Sequence, residues 1–395
     1  MNITKGEYSS STYINADVAG NTYNYYFPQT NEAAHFTNTK LHGWDCNITE
    51  NSGEYTVTYT ADENTDYQYL AFDESAQWYR IPAIVTAQNG DLVAVYDYRV
   101  CHGDVGNGEV DQRMRRSTNN GATWTPEETI ADGSAHGETG NVFGRAFGDP
   151  ALVADRESGK MTLICVSGQQ LYPNATATSH PKVAGVYSTD NGVTWGDPVD
   201  LTDQFFGAEG SLLADAGTAD ASTTFAYAGF FGSGKILQSR KTKINDTYRL
   251  YAAMLCQGKN VQGAYVVYSD DFGHTWKLLG GNKAFKAASG SDEPKVEELP
   301  KGDIVLSCRK TQGRYFNIWH WTSLPTTGNT NGAGTWGSVV DSKSCTGGIN
   351  LTCSGNSCNG EILYVEATNA ATGEPAKLML QSIPAGDNRS NVEIW

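Results

Sequence analysis

The sequence lacks several features that would assign the protein to a particular class. No run of about 18 apolar residues occurs among its 395 residues, so a transmembrane helix is not expected. Residues 1–6 do not begin an apolar segment of the kind found in a secretory signal peptide, so none is expected in this numbering. A chain whose leader has been removed is equally compatible with this sequence. Basic residues are few, with 28 Lys and Arg against 44 Asp and Glu and a net charge of −16. This balance argues against a nucleic-acid partner, because such binding depends on neutralising phosphates.

Cysteine and metal-binding motifs are also scarce. Eight cysteines are too few for a disulfide scaffold in a chain of this length. Cys345, Cys353 and Cys358 lie in a polar loop where a bridge could form, and the redox compartment stays open. No Cys-x-x-Cys pair and no His-Glu-x-x-His run occurs, so a zinc site has little support. We expect neither a metal nor a cofactor.

Helical periodicity is nearly absent, and short β-rich runs take its place. These runs are rich in β-branched and aromatic residues and are bounded by Gly, Asn, Asp and Pro. They cover residues 91–96, 161–166, 251–256, 304–307 and 362–365. The sequence therefore predicts an all-β chain. The N-terminal residues are rich in Tyr, Thr and Asn, and this composition changes near residue 70. The change predicts an N-terminal β segment (1–70), which could complete the last blade of a propeller, followed by the main domain (71–395).

An internal repeat indicates the architecture. The pattern Ser-x-Asp/Asn-x-Gly-x-Thr-Trp occurs at residues 117–124, 188–195 and 269–276, with Asn119 in place of Asp in the first copy. Each copy predicts a tight hairpin in which the Asp or Asn accepts hydrogen bonds from following backbone N–H groups and Gly takes a positive φ. Small sheets at this spacing, each hiding one face on its neighbours, predict the blades of a β-propeller.

The repeat resembles the Asp-box (BNR) repeat of sialidases and of some non-enzymatic propellers. Further motifs extend the resemblance over residues 78–395 in family order. Residues 313–318 are similar to sialidases of the gut Bacteroidetes type. The resemblance implies a six-bladed β-propeller exo-α-sialidase (neuraminidase) that releases terminal α-linked sialic acid from sialylated glycans with retention.

The resemblance also assigns site residues, one motif at a time. Arg80, in Tyr-Arg-Ile-Pro, matches the first of three arginines that bind the substrate carboxylate in the family. Arg309 and Arg389 match the second and the third. Arg99 matches an arginine that lines the site, and Asp104, on the Gly-rich loop after it, matches the general acid/base.

Two further carboxylates belong to this predicted site. Asp149 matches an aspartate that faces the sugar ring, although a turn former before proline explains it equally well. Glu293 matches the carboxylate beside the nucleophile. From the residues alone, we expect Glu297 and Glu298 to be solvated. The resemblance of residues 313–318 implies that Arg314 lies at the rim of the site.

The chemistry of sialic acid explains these residue types. Its carboxylate sits on the carbon that bears the glycosidic bond, and guanidinium groups match a carboxylate in bidentate geometry. On a protein of charge −16, a few placed arginines must overcome an unfavourable overall field. A carboxylate nucleophile would meet the substrate's own charge, and sialidases use tyrosine instead. Because a phenol has a pKa of about 10, a neighbouring glutamate must take its proton. Glu293 suits that role, and Asp104 would protonate the leaving oxygen.

The nucleophile departs from the family pattern. In the family the tyrosine follows the third arginine by a few tens of residues, whereas this sequence ends at Trp395, shortly after Arg389. Residues 6–14 and 21–27 resemble the expected Tyr-Ser hairpin and its partner strand. Because propeller termini meet when the ring closes, we predict a circularly permuted order with Tyr8 as the nucleophile. An ordinary tyrosine in an N-terminal strand is equally open.

Two other functions compete with catalysis. One is a sialic-acid-binding propeller without turnover, because its nucleophile is absent. The other is a non-enzymatic Asp-box adaptor, against which the three arginines argue. Oligomeric state and linkage preference are not set by the sequence. We expect a secreted, periplasmic or cell-surface location.

Overall fold

The computed structural model describes most of the chain from residue 79 onwards and parts of the segment before it. The described residues are 79–134, 140–176, 178–206, 212, 226–258, 261–281, 290–344, 358–384 and 392–394, together with the strand backbone within 22–61. The chain divides into two compact units, Met1–Leu70 with Val365–Leu378, and Ala71–Tyr364 with Met379–Trp395. No helix of this described part is long and apolar enough to cross a membrane. The predicted role of residues 1–70 in completing a blade stays a prediction.

In the N-terminal part of the smaller unit, four strands form an antiparallel sheet in the order β1-β4-β3-β2. They are β1 (Thr22–Tyr26), β2 (Lys40–Leu41), β3 (Trp44–Asn51) and β4 (Glu54–Ala61).

In the larger unit, the strands form successive small sheets built mainly from strands that are consecutive in sequence. The first sheet contains β5 (Tyr79–Thr86), β6 (Leu92–Tyr98), β7 (Asp111–Ser117) and β8 (Glu128–Ala131). The second contains β9 (Phe147–Ala154), β10 (Met161–Ser167), β11 (Lys182–Ser188) and β12 (Val199–Asp200), with β14 (Gly234–Lys235) added in parallel beside β9.

The later sheets follow the same plan. The third contains β13 (Ala226–Phe231), β15 (Leu237–Ile244), β16 (Thr247–Gly258), β17 (Val261–Ser269) and β18 (Lys277–Leu278). The fourth contains β19 (Asp292–Glu298), β20 (Ile304–Arg309), β21 (Arg314–Ser323), β22 (Ala333–Trp336) and β23 (Val340–Asp341). A three-stranded sheet contains β24 (Ile362–Thr368), β25 (Pro375–Pro384) and β26 (Val392–Ile394). Within the described ranges, helical structure is limited to α1 (Thr202–Phe205) and 3-10 turns at Phe143–Arg145, Tyr172–Asn174 and Ser342–Ser344.

Neighbouring sheets of the larger unit share buried apolar clusters. Val95 of the first sheet lies in one cluster with Leu163 of the second. Ile164, on the opposite face of β10, lies in another with Met254 of the third sheet. Burying each such side chain stabilises the fold by roughly 1.5–3 kcal/mol. Because the second and third sheets are each covered on both faces by their neighbours, this is a β-propeller-like all-β fold, as the sequence predicted. The number of blades stays a prediction.

The three Asp-box repeats have the predicted geometry. Each follows the strand that ends at the repeat's serine, at Ser117, Ser188 and Ser269. In each repeat, the side-chain oxygen of the Asp or Asn accepts a hydrogen bond from the backbone N–H four residues later. The distances are 2.8 Å for Asn119, 2.9 Å for Asp190 and 2.8 Å for Asp271. The repeat glycines have φ of 85°, 77° and 94°, at Gly121, Gly192 and Gly273. These turns are structural and lie outside the cavity described below.

Three cysteines of the described residues lie inside strands of the larger unit. Cys165, Cys256 and Cys308 are fully buried within strands and act as small core residues. Cys345 and Cys353 of the predicted loop lie outside the described residues.

Candidate active site

Three strands have β-bulges close to their first residues, at one cavity. In β5 the register shifts between Arg80 and Ala83, in β9 two residues stand opposite Cys165, and in β19 Glu293 is the extra residue. Each bulge contains or adjoins a proline, which has no N–H for the strand ladder and favours such irregularities. The bulges therefore aim side chains of these strands into the cavity.

Two of the bulges have strained backbone. Ile81 has φ 53° and Asp149 has φ 57°. Such left-handed conformations are uncommon for residues other than glycine and are costly for a β-branched residue. Both side chains line the cavity, so the strain is located where the geometry of the site is set.

The cavity brings together most of the predicted site residues. Its volume is about 340 Å³. Six residues assigned from the sequence line it, namely Arg80, Arg99, Asp104, Asp149, Glu293 and Arg309. Arg389 and Tyr8 lie outside the described residues.

Arg99 is the centre of an ionic network on one wall of the cavity. Its Nη2 donates to Asp149 Oδ1 at 3.0 Å, and its Nη1 donates to Asp104 Oδ1. Arg99 exposes 1% of its side chain, whereas Asp104 exposes 69%. Arg80 Nη1 lies 3.5 Å from the same Asp104 oxygen, and the Arg80 side chain is about half exposed. Asp104 and Arg80 are thus the members of this wall that a ligand can reach most easily.

The carboxyl of Asp149 has altered acidity. Burial, followed by the negative charge of Asp97, raises its pKa to about 7, although Arg99 opposes the shift. Near neutral pH this group therefore populates both the acid and the carboxylate, and can donate or accept a hydrogen bond.

A second ion pair lies on another wall. Arg309 Nη1 donates to Glu293 Oε2 at 2.7 Å and lies 3.6 Å from Asp292 Oδ2. The two side chains of the closer pair, Arg309 and Glu293, are about one-fifth exposed. Arginine and carboxylate are thus adjacent at the cavity surface, as a carboxylate-binding arginine and a proton acceptor would be.

An apolar wall was missed by the sequence analysis. Val105, Val166, Leu171 and Phe230 line the cavity, and the Tyr172 ring lies edge-on to Phe230 at 4.8 Å. Burial raises the pKa of the Tyr172 phenol well above its usual value. These residues come from loops and strands with no shared motif, so the sequence offered no signal for their convergence.

The expectation that Glu297 and Glu298 are solvated was wrong. They expose 1% and 0% of their surface. Glu297 accepts hydrogen bonds from Lys235 Nζ at 2.9 Å and Arg240 Nη2 at 2.7 Å. Glu298 accepts from the backbone N–H of Arg240. Partners from distant strands make this burial tolerable, because a buried charge must be paired.

The expectation for Arg314 was also wrong. It is fully buried rather than at the rim. It donates to Ser307 Oγ at 2.9 Å, to the Ser307 carbonyl at 3.1 Å and to the Cys358 carbonyl at 3.2 Å. Its role in the described structure is to tie β20 and β21 to the segment at residue 358.

Comparisons with known proteins support the family prediction. A profile described as a BNR repeat-like domain matches residues 90–352. A sialidase from Bacteroides fragilis is 26% identical over 257 residues, which is 62% of this chain and 41% of that protein. A sialidase from Micromonospora viridifaciens is 31% identical over 244 residues, 58% of this chain and 32% of that protein. The chain thus spans between about a third and two-fifths of the length of these two relatives.

A solved structure shows the same fold. A Hadza microbial sialidase superposes with a TM-score of 0.58 at 20% identity, covering 86% of this chain and 66% of that one. The sheets and the cavity define a β-propeller-like protein with Asp-box hairpins. The chain belongs to the BNR repeat family of sialidase relatives, which confirms the family predicted from its motifs.

Proposed function

We propose that this protein is a retaining exo-α-sialidase on a six-bladed β-propeller, acting on terminal α-linked sialic acid of glycoconjugates. The observation that carries the proposal is one cavity in which arginines and carboxylates from separate sequence motifs meet. Its relatives are described as sialidases, and the types of residue in the cavity suit an anionic sugar.

Recognition of the sugar carboxylate is assigned to arginines. Arg80 and Arg309 line the same cavity, and we propose that Arg389 joins them. Planar guanidinium groups bind a carboxylate through two parallel hydrogen bonds. Their local positive charge is needed because the chain carries a net charge of −16.

Asp104 is the proposed general acid/base. It is exposed to the cavity and accepts a hydrogen bond from Arg99, so it can reach a glycosidic oxygen. As the bond between the anomeric carbon and that oxygen breaks, Asp104 would give its proton to the oxygen. In the second step it would take a proton from the water that attacks the anomeric carbon.

The proposed nucleophile is Tyr8, with Glu293 accepting its phenolic proton as the oxygen attacks the anomeric carbon. Among the tyrosines in the described ranges, Tyr172 alone lines the cavity. Its pKa is raised by burial, which makes its phenolate harder to form and argues against it as the nucleophile. A tyrosine from outside those ranges is therefore required.

Binding without turnover is the second candidate function. It is favoured by the same observation, since the described cavity walls hold the arginines but no suitable phenol. The two candidates share the carboxylate site and differ in whether a nucleophile reaches the sugar.

The deciding experiment is turnover of a fluorogenic aryl sialoside and a natural sialoside by the full chain. We expect release of sialic acid, with the α-anomer formed first when NMR follows the reaction. The exposed residue Arg156, which contacts Gln238 away from the cavity, provides a control variant, Arg156→Ala, with unchanged rates. Binding of sialic acid with no product from either sialoside would contradict the enzyme proposal and leave the binding function.

A further inference from the structure

A second cavity lies away from the candidate active site. Its volume is about 340 Å³, and it shares no lining residue with the cavity of that site, the first cavity. Its lining includes Leu278–Gly281, at the end of the third sheet, and Trp319 of β21 in the fourth. Trp319 pairs with Ile304, at the opposite end of β20 from Arg309. Trp319 is therefore about 17 Å along the strand from the arginine of the first cavity.

The second cavity occurs where the Asp-box pattern is incomplete. Residues 331–336 keep the closing Thr-Trp of the repeat, but Ala333 occupies the position of the repeat glycine. In the first and third repeats, the tryptophan Nε1 donates to the glycine carbonyl of its own repeat, at 3.1 and 3.0 Å. Trp336 Nε1 donates instead to the Leu279 carbonyl, just after the third sheet, at 3.4 Å. This tryptophan thus joins two sheets rather than closing its own turn, and the cavity lies beside it.

Two buried indole N–H groups at the second cavity have no acceptor. Trp319 exposes 6% of its surface, and within the described part of the chain its Nε1 has no hydrogen-bond partner. The same holds for Nε1 of Trp321, which packs against Gly332. The Trp319 ring packs against Gly334, where a Cβ would lie only 2.6 Å from Cε2, the atom bonded to Nε1. A buried donor without an acceptor is costly, so a ligand oxygen beside these glycines would satisfy groups that the protein leaves unpaired.

The walls of the second cavity are uncharged and are held in place by the protein itself. None of its described lining residues is acidic or basic. Tyr268 Oη donates to Asn331 Oδ1 at 3.3 Å, which leaves the Asn331 Nδ2 group free among the described residues. Behind Tyr268, the buried Arg249 guanidinium lies 3.9 Å from the centre of its ring and donates to the Thr330 carbonyl. These contacts join the two walls, and a pre-formed cavity loses less conformational entropy when a ligand binds.

We propose that the second cavity is a binding site for a neutral hexopyranose, such as a galactose residue of a glycan. An uncharged lining disfavours metal ions, phosphates and sialic acid itself, which need a counter-charge when they leave water. A pyranose carries C–H groups that pack on Leu278, Ala333 and the aromatic rings. Its hydroxyl oxygens accept hydrogen bonds from indole and amide N–H groups. This carbohydrate site goes beyond the proposed sialidase activity and does not depend on it.

Ligand-observed NMR with methyl β-galactoside and methyl β-glucoside tests the site in the full chain. An unsaturated sialic acid analogue is present in excess, so that the first cavity is occupied. Neutral ligands of this size should bind with a Kd of about 1–10 mM, with and without the analogue. Displacement by the analogue would place the hexoside in the first cavity and overturn the proposal. No binding of either hexoside at about 50 mM would also overturn it.

The variant Ala333→Lys locates the site. Ala333 is exposed at the second cavity, so a lysine there should fill and charge the cavity without altering the core. We expect hexoside binding to weaken by about tenfold or more. The matched control is Ala122→Lys, which changes an exposed alanine of the intact first repeat and should leave the Kd unchanged. Equal Kd values for the two lysine variants, each with unchanged thermal unfolding, would overturn the proposal.

The variant Trp319→Phe tests the unpaired N–H group directly. It keeps an aromatic ring, removes the donor and should weaken hexoside binding by about three- to tenfold. An unchanged Kd would contradict the role of this donor, and if the variant does not fold, the Ala333→Lys comparison decides alone. Because the titration needs no turnover, a chain that hydrolyses no sialoside would refute the proposed enzyme function and leave the test of the second cavity intact.

Discussion

Replacing Arg309 by alanine tests the carboxylate-binding role most sharply among single substitutions. Arg309 and Glu293 are 2.7 Å apart and about one-fifth exposed, so their interactions are only partly screened by water. A hydrogen bond to a charged group contributes about 1.5–3 kcal/mol. Losing a bidentate contact with the substrate carboxylate should cost about 3 kcal/mol, which lowers kcat/KM by about a hundredfold.

A second effect acts in the same direction. Without Arg309, the Glu293 carboxylate has lost its 2.7 Å partner at the cavity wall and would repel the negative charge of the substrate. The assay is kcat/KM on an aryl sialoside, with Arg309→Lys as an intermediate variant that keeps the charge but not the planar fork. A loss of less than about tenfold for Arg309→Ala, in a protein with unchanged thermal unfolding, would refute the reasoning.

Three further predictions concern carboxylates. Asp104→Asn should remove most activity on natural sialosides and spare aryl sialosides, and equal losses in parallel steady-state assays would count against its acid role. Asp149 titrates near pH 7 when folded and near 3.8 in its reference state, so its contribution to stability is complete below about pH 4 and lost as pH rises through about 7. The Asp149→Asn side chain cannot ionise. The free energy of unfolding of this variant, relative to that of the parent chain, should therefore increase by about 2 kcal/mol from pH 5 to pH 8, as measured by urea unfolding. No pH dependence in this difference would refute the assignment. Asp271→Ala loses its bonds to Thr275 N and Oγ1 at 2.8 and 2.6 Å and should destabilise the fold by about 1–2 kcal/mol with kcat/KM unchanged; a loss of activity without a loss of stability would contradict the structural role of the repeat.

The parts of the fold that could be predicted from sequence depend on local interactions. An Asp-box turn is closed by bonds between residues four positions apart, as in Asp190 and Thr194, so its pattern of residues is sufficient to identify it. The strands were visible for the same reason, because β-branched runs and glycine turns are local signals. The blade number depends on how the sheets close, which no local pattern contains.

The charged residues of the site show which positions sequence motifs can predict and which they cannot. The motifs around Arg80, Asp104 and Arg309 were sufficient to name them, and the structure places all three in one cavity. Asp97 was missed, although an acid within an apolar strand two residues before an arginine is a usable signal for a buried ion pair. The position of Glu297 and Glu298 on a strand next to a turn predicts exposure, yet the sheet packing buries both side chains.

Glu297 illustrates the physical reason. Its partners Lys235 and Arg240 lie 62 and 57 residues earlier in the chain. Whether a carboxylate is solvated or buried depends on such distant cations, since burial without them costs several kcal/mol. Sequence spacing contains no information about which distant strand packs beside it.

Mass spectrometry of the full chain after reaction with a fluorinated sialic acid tests the central claim most directly. The fluorine slows hydrolysis of a covalent intermediate, so a retaining sialidase accumulates one sugar per chain. We predict a single adduct that maps to the peptide containing Tyr8 and is absent from the Tyr8→Phe variant, while that variant still binds an unsaturated analogue. An adduct on another tyrosine would contradict the assignment of Tyr8, and no adduct on a chain that binds the analogue would contradict the sialidase mechanism itself.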